Sequence, residues 1–158
     1  MKKLILYKTK WGTTKQYCEW IKEDVADAEI ANVDEFDVNK LSEFDLIVLG
    51  SLTYMGKIQG VKFLENNWNT LKTKKVYLFS IGMIPTEDPA SIESYNAIPE
   101  EIRNGLAGYE KFPGKVDVNK LNFFEKLIVK MKKSDNNTKP QLPDKSFVKP
   151  VVEFLTQG

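Results

Sequence analysis

The stretch Ile5-Leu6-Tyr7-Lys8-Thr9-Lys10-Trp11-Gly12-Thr13-Thr14-Lys15 holds the residues best suited to chemistry. Leu4-Ile5-Leu6-Tyr7 is an apolar run that reads as a buried strand and breaks into a polar loop with one glycine. Past Gly12 a helical period begins, with Tyr17, Ile21, Val25 and Ala28 on one face. A strand, a hydroxyl-rich loop and a helix start leave unpaired backbone N–H groups and the positive end of a helix dipole at the loop. The ligand that suits this geometry is a phosphate. Gly12 lets the backbone come close, and Thr9, Thr13 and Thr14 add hydroxyls. The same residues are ordinary helix caps, and the loop alone leaves both readings open. It is neither the three-glycine dinucleotide fingerprint nor a Walker loop.

Absent residue types narrow the chemistry further. The 158 residues contain no histidine and one cysteine, Cys18. This removes Ser-His-Asp and Cys-His catalysis, His-ligated zinc and the usual general base near neutral pH. Disulfide frameworks, CxxC redox motifs and cysteine-rich metal sites go with them. Such a chain either binds without reacting or takes its chemistry from a cofactor. No side chain stands out as a catalytic acid or base, and no metal ligand set is apparent.

The elements that must position the loop follow an alternating pattern. Glu29 to Val33 reads as a second strand and Phe44 to Gly50 as a third, the latter almost continuously apolar, as in strands covered on both faces. Asp37 to Leu41 connects them. Helical periodicity covers Val61 to about Leu71. Val76 to Ile81 is a fourth strand, and Ala90 to Ala97 is helical beyond Pro85 and Pro89. Leu106 to Tyr109 is the candidate fifth strand, expected to be short and interrupted by an insertion over about 110–145. A helix near Pro150 closes the chain and buries Val151, Val152 and Leu155. Strands alternating with helices predict a doubly wound α/β sheet, here a single domain over 1–158. Hydrophobic content of 42% and charged content of 28% fit one globular domain.

In the strand order 2-1-3-4-5 the ligand crevice opens beyond the carboxyl ends of the first and third strands. The loops there are 9–14, the Gly50-Ser51-Leu52-Thr53-Tyr54-Met55-Gly56 turn, and the Ser80-Ile81-Gly82-Met83 turn. Each combines glycine with Ser or Thr, and Trp11, Tyr54, Met55 and Met83 add large side chains. Hydroxyls and amides at one rim with aromatics at the other suit a flat, phosphorylated aromatic ligand. The plain alternative is that these residues simply terminate strands.

On these three segments the chain resembles the flavodoxin family over essentially its whole length. It is most similar to the flavodoxin-like, quinone-dependent protoporphyrinogen oxidase branch, through Phe123-Phe124-Glu125-Lys126-Leu127-Ile128-Val129-Lys130-Met131-Lys132-Lys133 in the insertion. The resemblance implies a five-stranded parallel sheet of order 2-1-3-4-5 with an insertion at the fifth strand, and FMN as cofactor. Thr9, Gly12 and Thr14 would match the phosphate loop, with Lys10, Trp11 and Thr13 as spacers. Ser51, Leu52, Thr53, Tyr54 and Met55 would match the first ring-binding loop, and Ser80, Ile81, Gly82 and Met83 the second. Two positions depart from the family pattern. Lys8 stands where Ser or Thr is usual, and Tyr54 where the branch carries a basic residue.

Net charge is +1 but unevenly spread. Between Glu19 and Asp45 ten acids face Lys22 and Lys40, whereas between Lys111 and Lys133 seven lysines face Asp117 and Glu125. In Val118 to Lys133, Phe124, Leu127, Ile128 and Met131 share a helical face opposite Asn122, Glu125, Lys126 and Lys133. This cationic amphipathic pattern suits peripheral contact with an anionic membrane through 118–133, or an acidic partner; equally, its apolar face would cover the sheet. Asp135 to Asp144 reads as a flexible connection. One arginine, Arg103, and no aromatic–basic motif argue against nucleic acid. No run approaches a membrane span, and Met1-Lys2-Lys3 leads into too short an apolar run for a signal peptide; the expectation is a cytoplasmic protein.

Three functions compete. One is an FMN-dependent oxidoreductase acting on a quinone or porphyrin substrate. The second is an electron-transfer flavodoxin serving a redox partner; such carriers tend to be strongly acidic. The third is a non-redox flavodoxin-like binding module.

Overall fold

The computed structural model describes residues 1–115, 119, 122, 125, 126, 130 and 141–158. Its centre is β1 (Lys3–Lys8), paired in parallel with β2 (Glu29–Asn32) on one side and β3 (Leu46–Tyr54) on the other. β5 (Lys75–Gly82) and β6 (Leu106–Pro113) continue the parallel sheet, giving the order β2-β1-β3-β5-β6. The two-residue strand β4 (Lys57–Ile58) pairs antiparallel with the end of β3 and stays off this path. With β4 set aside, the order is the predicted 2-1-3-4-5.

β1, β3 and β5 are apolar on both sides because both faces are covered. Ile5, Val48, Phe79 and Phe112 pack with Tyr17, Cys18 and Ile21 of α1 (Thr13–Asp24) and with Val151 and Leu155 of the C-terminal helix Lys149–Gln157. Leu4, Leu6, Ile47 and Leu78 pack the other way, against Leu64, Trp68 and Leu71 of α2 (Val61–Leu71) and Ile102 of α4 (Glu100–Gly105). Between α2 and α4 in the chain comes α3 (Pro89–Asn96), started by the Asp88 side chain accepting from Ala90 N–H. In the C-terminal helix Val151 and Leu155 are buried as expected, and Val152 is half-buried. Gly50 is fixed by close packing: a Cβ there would stand 2.3 Å from Cζ of Phe79. That ring crosses the glycine to stack on Phe112, centroids 4.9 Å apart.

Two expectations are corrected. The third strand does not end at Gly50 but runs to Tyr54, because β4 supplies partners for its last residues (Thr53 to Ile58, Tyr54 to Lys57). Ser51, Leu52, Thr53 and Tyr54 are therefore strand residues rather than loop residues. The fifth parallel strand is neither short nor interrupted at Tyr109: β6 is 8 residues long and pairs with β5 as far as Gly82 and Pro113. As an edge strand it tolerates Glu110 and Lys111, which break the apolar pattern. Residues 110–113 thus belong to the sheet and not to the insertion. Phe124, Leu127, Ile128, Met131 and Lys133 of the expected amphipathic helix lie outside the described residues, as do residues 135–140 of the expected connection.

Candidate ligand site at the strand carboxyl ends

The chain leaves β1 toward β2 on one side and later returns to β3 on the other, so the ends of β1 and β3 flank the point where strand order reverses. An open α/β sheet binds its ligands there. The loop after β1 is shaped by Gly12, which caps α1 at φ 93° and ψ −9°. Its N–H donates to Thr9 Oγ1 at 3.0 Å, closing the turn. Thr13 Oγ1 donates to the carbonyl of Lys115 at 2.9 Å, and Thr14 is buried. Thr13 therefore anchors the segment after β6, a role its place in the loop did not announce. The first turn of α1 has no side-chain cap and no acid. Its leading N–H groups lack intrahelical acceptors by helix geometry, which leaves the positive helix end available to an anion.

Lys10, Trp11 and Tyr54 meet beside this turn. The Lys10 ammonium lies 4.1 Å from the Tyr54 ring centroid and 5.2 Å from that of Trp11, and the two rings are 5.9 Å apart. Tyr54 thus takes a cation on its face instead of supplying one. Lys8 points elsewhere: its ammonium contacts both oxygens of Asp34 at 2.6 and 2.7 Å. That departure from the family pattern does not touch the turn.

Sequence reasoning missed Glu125. The helical pattern sets it opposite the apolar face of 118–133, yet its carboxylate is buried and Oε1 accepts from Lys10 Nζ at 2.5 Å, Asn122 Nδ2 at 3.0 Å and the Tyr54 hydroxyl at 3.2 Å. The Lys10 hydrogen bond, chiefly, holds the Glu125 carboxyl below the usual carboxylate range; the reciprocal bond raises Lys10. The available signal was an isolated acid in a lysine-rich stretch. Two buried polar atoms of this cluster have no hydrogen-bond partner among the described residues, Trp11 Nε1 and Glu125 Oε2.

The other two strand ends divide between support and surface. Ser51 Oγ accepts from Gly60 N–H at 2.6 Å and donates to the Leu52 carbonyl, tying β3 to the start of α2. Ser80 Oγ shares a hydrogen bond of 2.6 Å with the Tyr109 hydroxyl. Both serine hydroxyls, expected at the ligand rim, are engaged internally, and Leu52 and Ile81 are buried core. Thr53, Tyr54, Gly82 and Met83 are half-buried. Met55 is exposed at φ 52° and precedes Gly56 at φ 76°, a two-residue hairpin with both central residues left-handed. Ser94 Oγ secures that hairpin through the Gly56 carbonyl at 2.7 Å. Lys111, also unanticipated, donates to Ser91 Oγ, and a Cβ on Gly82 would lie 3.4 Å from its Nζ.

Cys18 takes no part. It is buried, with Sγ 3.9 Å from the Leu6 carbonyl, and burial pushes its thiol well above the ordinary value. Among the described residues no cluster of His, Cys, Asp and Glu could hold a metal ion.

The fold agrees with comparison to known proteins. A family model described as a flavodoxin domain matches residues 4–142, and the chain belongs to that family. An archaeal flavodoxin has the same fold, with TM-score 0.54, 20% identity, and 85% of this chain and 98% of that one covered. The two-electron reduced flavodoxin of Megasphaera elsdenii gives TM-score 0.55 at 21% identity, over 70% of this chain and 83% of that one. A Lactobacillus acidophilus flavoprotein in complex with FMN gives 0.51 at 21%, covering 70% and 92%. No curated protein sequence matches. No feature of these comparisons selects the protoporphyrinogen oxidase branch.

Proposed function

We propose that this chain binds FMN noncovalently and works as a redox protein. The observation that carries the reading is the uncapped start of α1 at Gly12, beside the Lys10 ammonium and the Trp11 and Tyr54 rings. The residues present fit the group. A buried Trp11 Nε1–H with no partner among the described residues awaits an acceptor, as a phosphate would be. Thr9, Lys10, Trp11, Gly12, Thr13 and Thr14 would hold the phosphate end through backbone N–H groups and the lysine. Thr53, Tyr54 and Met55, with Gly82 and Met83, would border the ring, while Ser51, Leu52, Ser80 and Ile81 hold the strands beneath it. The FMN bound by the Lactobacillus acidophilus protein of the same fold supports this choice of ligand. Bound FMN supplies reversible electron transfer; the protein orients it and excludes water from it. Titrating the apo protein with FMN tests the reading: one-to-one quenching of flavin fluorescence is expected, and absence of binding would leave a flavodoxin-shaped interaction domain.

Within that reading, the similarity of 123–133 to the quinone-linked branch favours an oxidoreductase taking electrons from a porphyrinogen and passing them to a quinone. The family fold serves an electron carrier equally well. Flavin reduction by protoporphyrinogen with quinone as acceptor supports the enzyme; exchange solely with reductases and ferredoxin-like partners supports the carrier.

A further inference from the structure

The one cation of the loop before Gly12 already has a buried anionic partner. Lys10 belongs to the turn expected to receive phosphate, and its side chain is 41% exposed, whereas that of Glu125 is 5% exposed. Among the described residues the donors that reach the Glu125 carboxylate, from Lys10, Tyr54 and Asn122, converge on Oε1, and Oε2 is buried with none. A phosphate arriving at this turn and the Glu125 carboxylate accept from the same ammonium. Two anions on one cation also repel each other, the more strongly the less water lies between them.

We infer that Glu125 sets the affinity of this site for the phosphate end of its ligand, by competing with that phosphate for Lys10. The inference rests on the FMN reading above. When a phosphate draws the ammonium away, Oε1 keeps two neutral donors, Tyr54 and Asn122, and Oε2 gains none. A buried carboxylate deprived of its cation is costly, and that cost opposes phosphate binding. A flavin without the phosphate makes no demand on Lys10 and meets no such opposition. Glu125 is thus a specificity-determining residue contributed from 115 positions away, and it narrows the preference for FMN over riboflavin.

The test is titration of FMN and of riboflavin into the full-length apo protein, comparing wild type with Glu125→Gln. The amide keeps the shape and the acceptor for Tyr54 and Asn122 but loses the charge. FMN should bind about tenfold more tightly to the variant, the effect of one charge-assisted hydrogen bond, with riboflavin unchanged within about twofold. Lys10→Ala should weaken FMN more in the Glu125→Gln background than in wild type, since the lysine is then no longer shared. Glu125→Ala serves if the amide variant fails to fold, with the same order of affinities expected. Weaker FMN binding by the Glu125 variant, or equal shifts for both flavins, overturns the competition. Failure of wild type and variant alike to bind FMN overturns the FMN reading instead.

Discussion

At Gly12 nothing lies within 4 Å of where a Cβ would stand, so space does not require glycine there. The backbone does: φ of 93° is a conformation that L side chains rarely adopt. Gly12→Val should therefore cost about 1–2 kcal/mol of stability, leave the fold in place, and remove FMN binding by turning the leading N–H groups of α1 away. Urea unfolding combined with an FMN titration checks both halves; normal FMN affinity in a folded variant would refute the phosphate-turn assignment. The Lys10–Glu125 pair has a definite pH window. The Glu125 carboxyl sits below its ordinary 4.5, so its contribution is full above that value and is lost as pH falls through the depressed one. Lys10 is raised above its ordinary 10.5, so its share is present below that value and is lost on the alkaline side as pH rises through the raised one. Side-chain carbon NMR of Glu125 should show a midpoint below 4.5, moving up toward the ordinary value in Lys10→Ala.

The elements are tied to one another by hydrogen bonds that cross the sheet. Tyr17 of α1 donates its hydroxyl to the Pro113 carbonyl at 2.7 Å, fastening the helix behind the Gly12 turn to the end of β6. Burial pushes the Tyr17 hydroxyl up to about 12. This bond is therefore present below the ordinary tyrosine range and is lost as pH rises through that raised value. Tyr17→Phe should lower stability by about 1 kcal/mol, the cost of a part-buried carbonyl left without its donor, and thermal melting measures it. Ultraviolet titration of the native protein should lose its most alkaline tyrosinate step in the same variant. Ser51 to Gly60 and Ser80 to Tyr109 fasten the other two strand ends in the same manner, so the rim is built on fixed elements.

For the whole molecule, positive charge concentrates in the lysine-rich stretch after β6. Among the described residues no helix is long and apolar enough to cross a membrane. A peripheral contact would rest on the lysines of 118–133, and such contacts weaken with salt because exposed charges are screened. Liposomes containing anionic lipid should sediment the protein at low ionic strength and release it on adding salt. Absence of binding at low salt would return these lysines to a solvated face.

How far the sequence could be read follows from how local each feature is. The strand, the turn at Gly12 and the helix behind it are contiguous, and their order alone places a turn at a helix start. Apolar runs in β1, β3 and β5 likewise yield a parallel sheet, because only strands covered on both faces can be so uniformly apolar. The end of β3 was not legible: Ser51 and Leu52 remain in the strand through Ser80 and Ile81 of β5, and Thr53 and Tyr54 through the two residues of β4. The second half of β6, from Glu110 to Pro113, was hidden because an edge strand need not be apolar throughout. The duties of the hydroxyls were equally beyond sequence, since Ser51, Ser80 and Thr13 find their partners in Gly60, Tyr109 and Lys115. The sequence by itself determined the fold class and the place of the turn, both set by short-range pattern and periodicity. The tertiary structure decided which groups face the turn. Burial and pairing with Lys10 make Glu125 part of it, and the chain between them spans most of the domain.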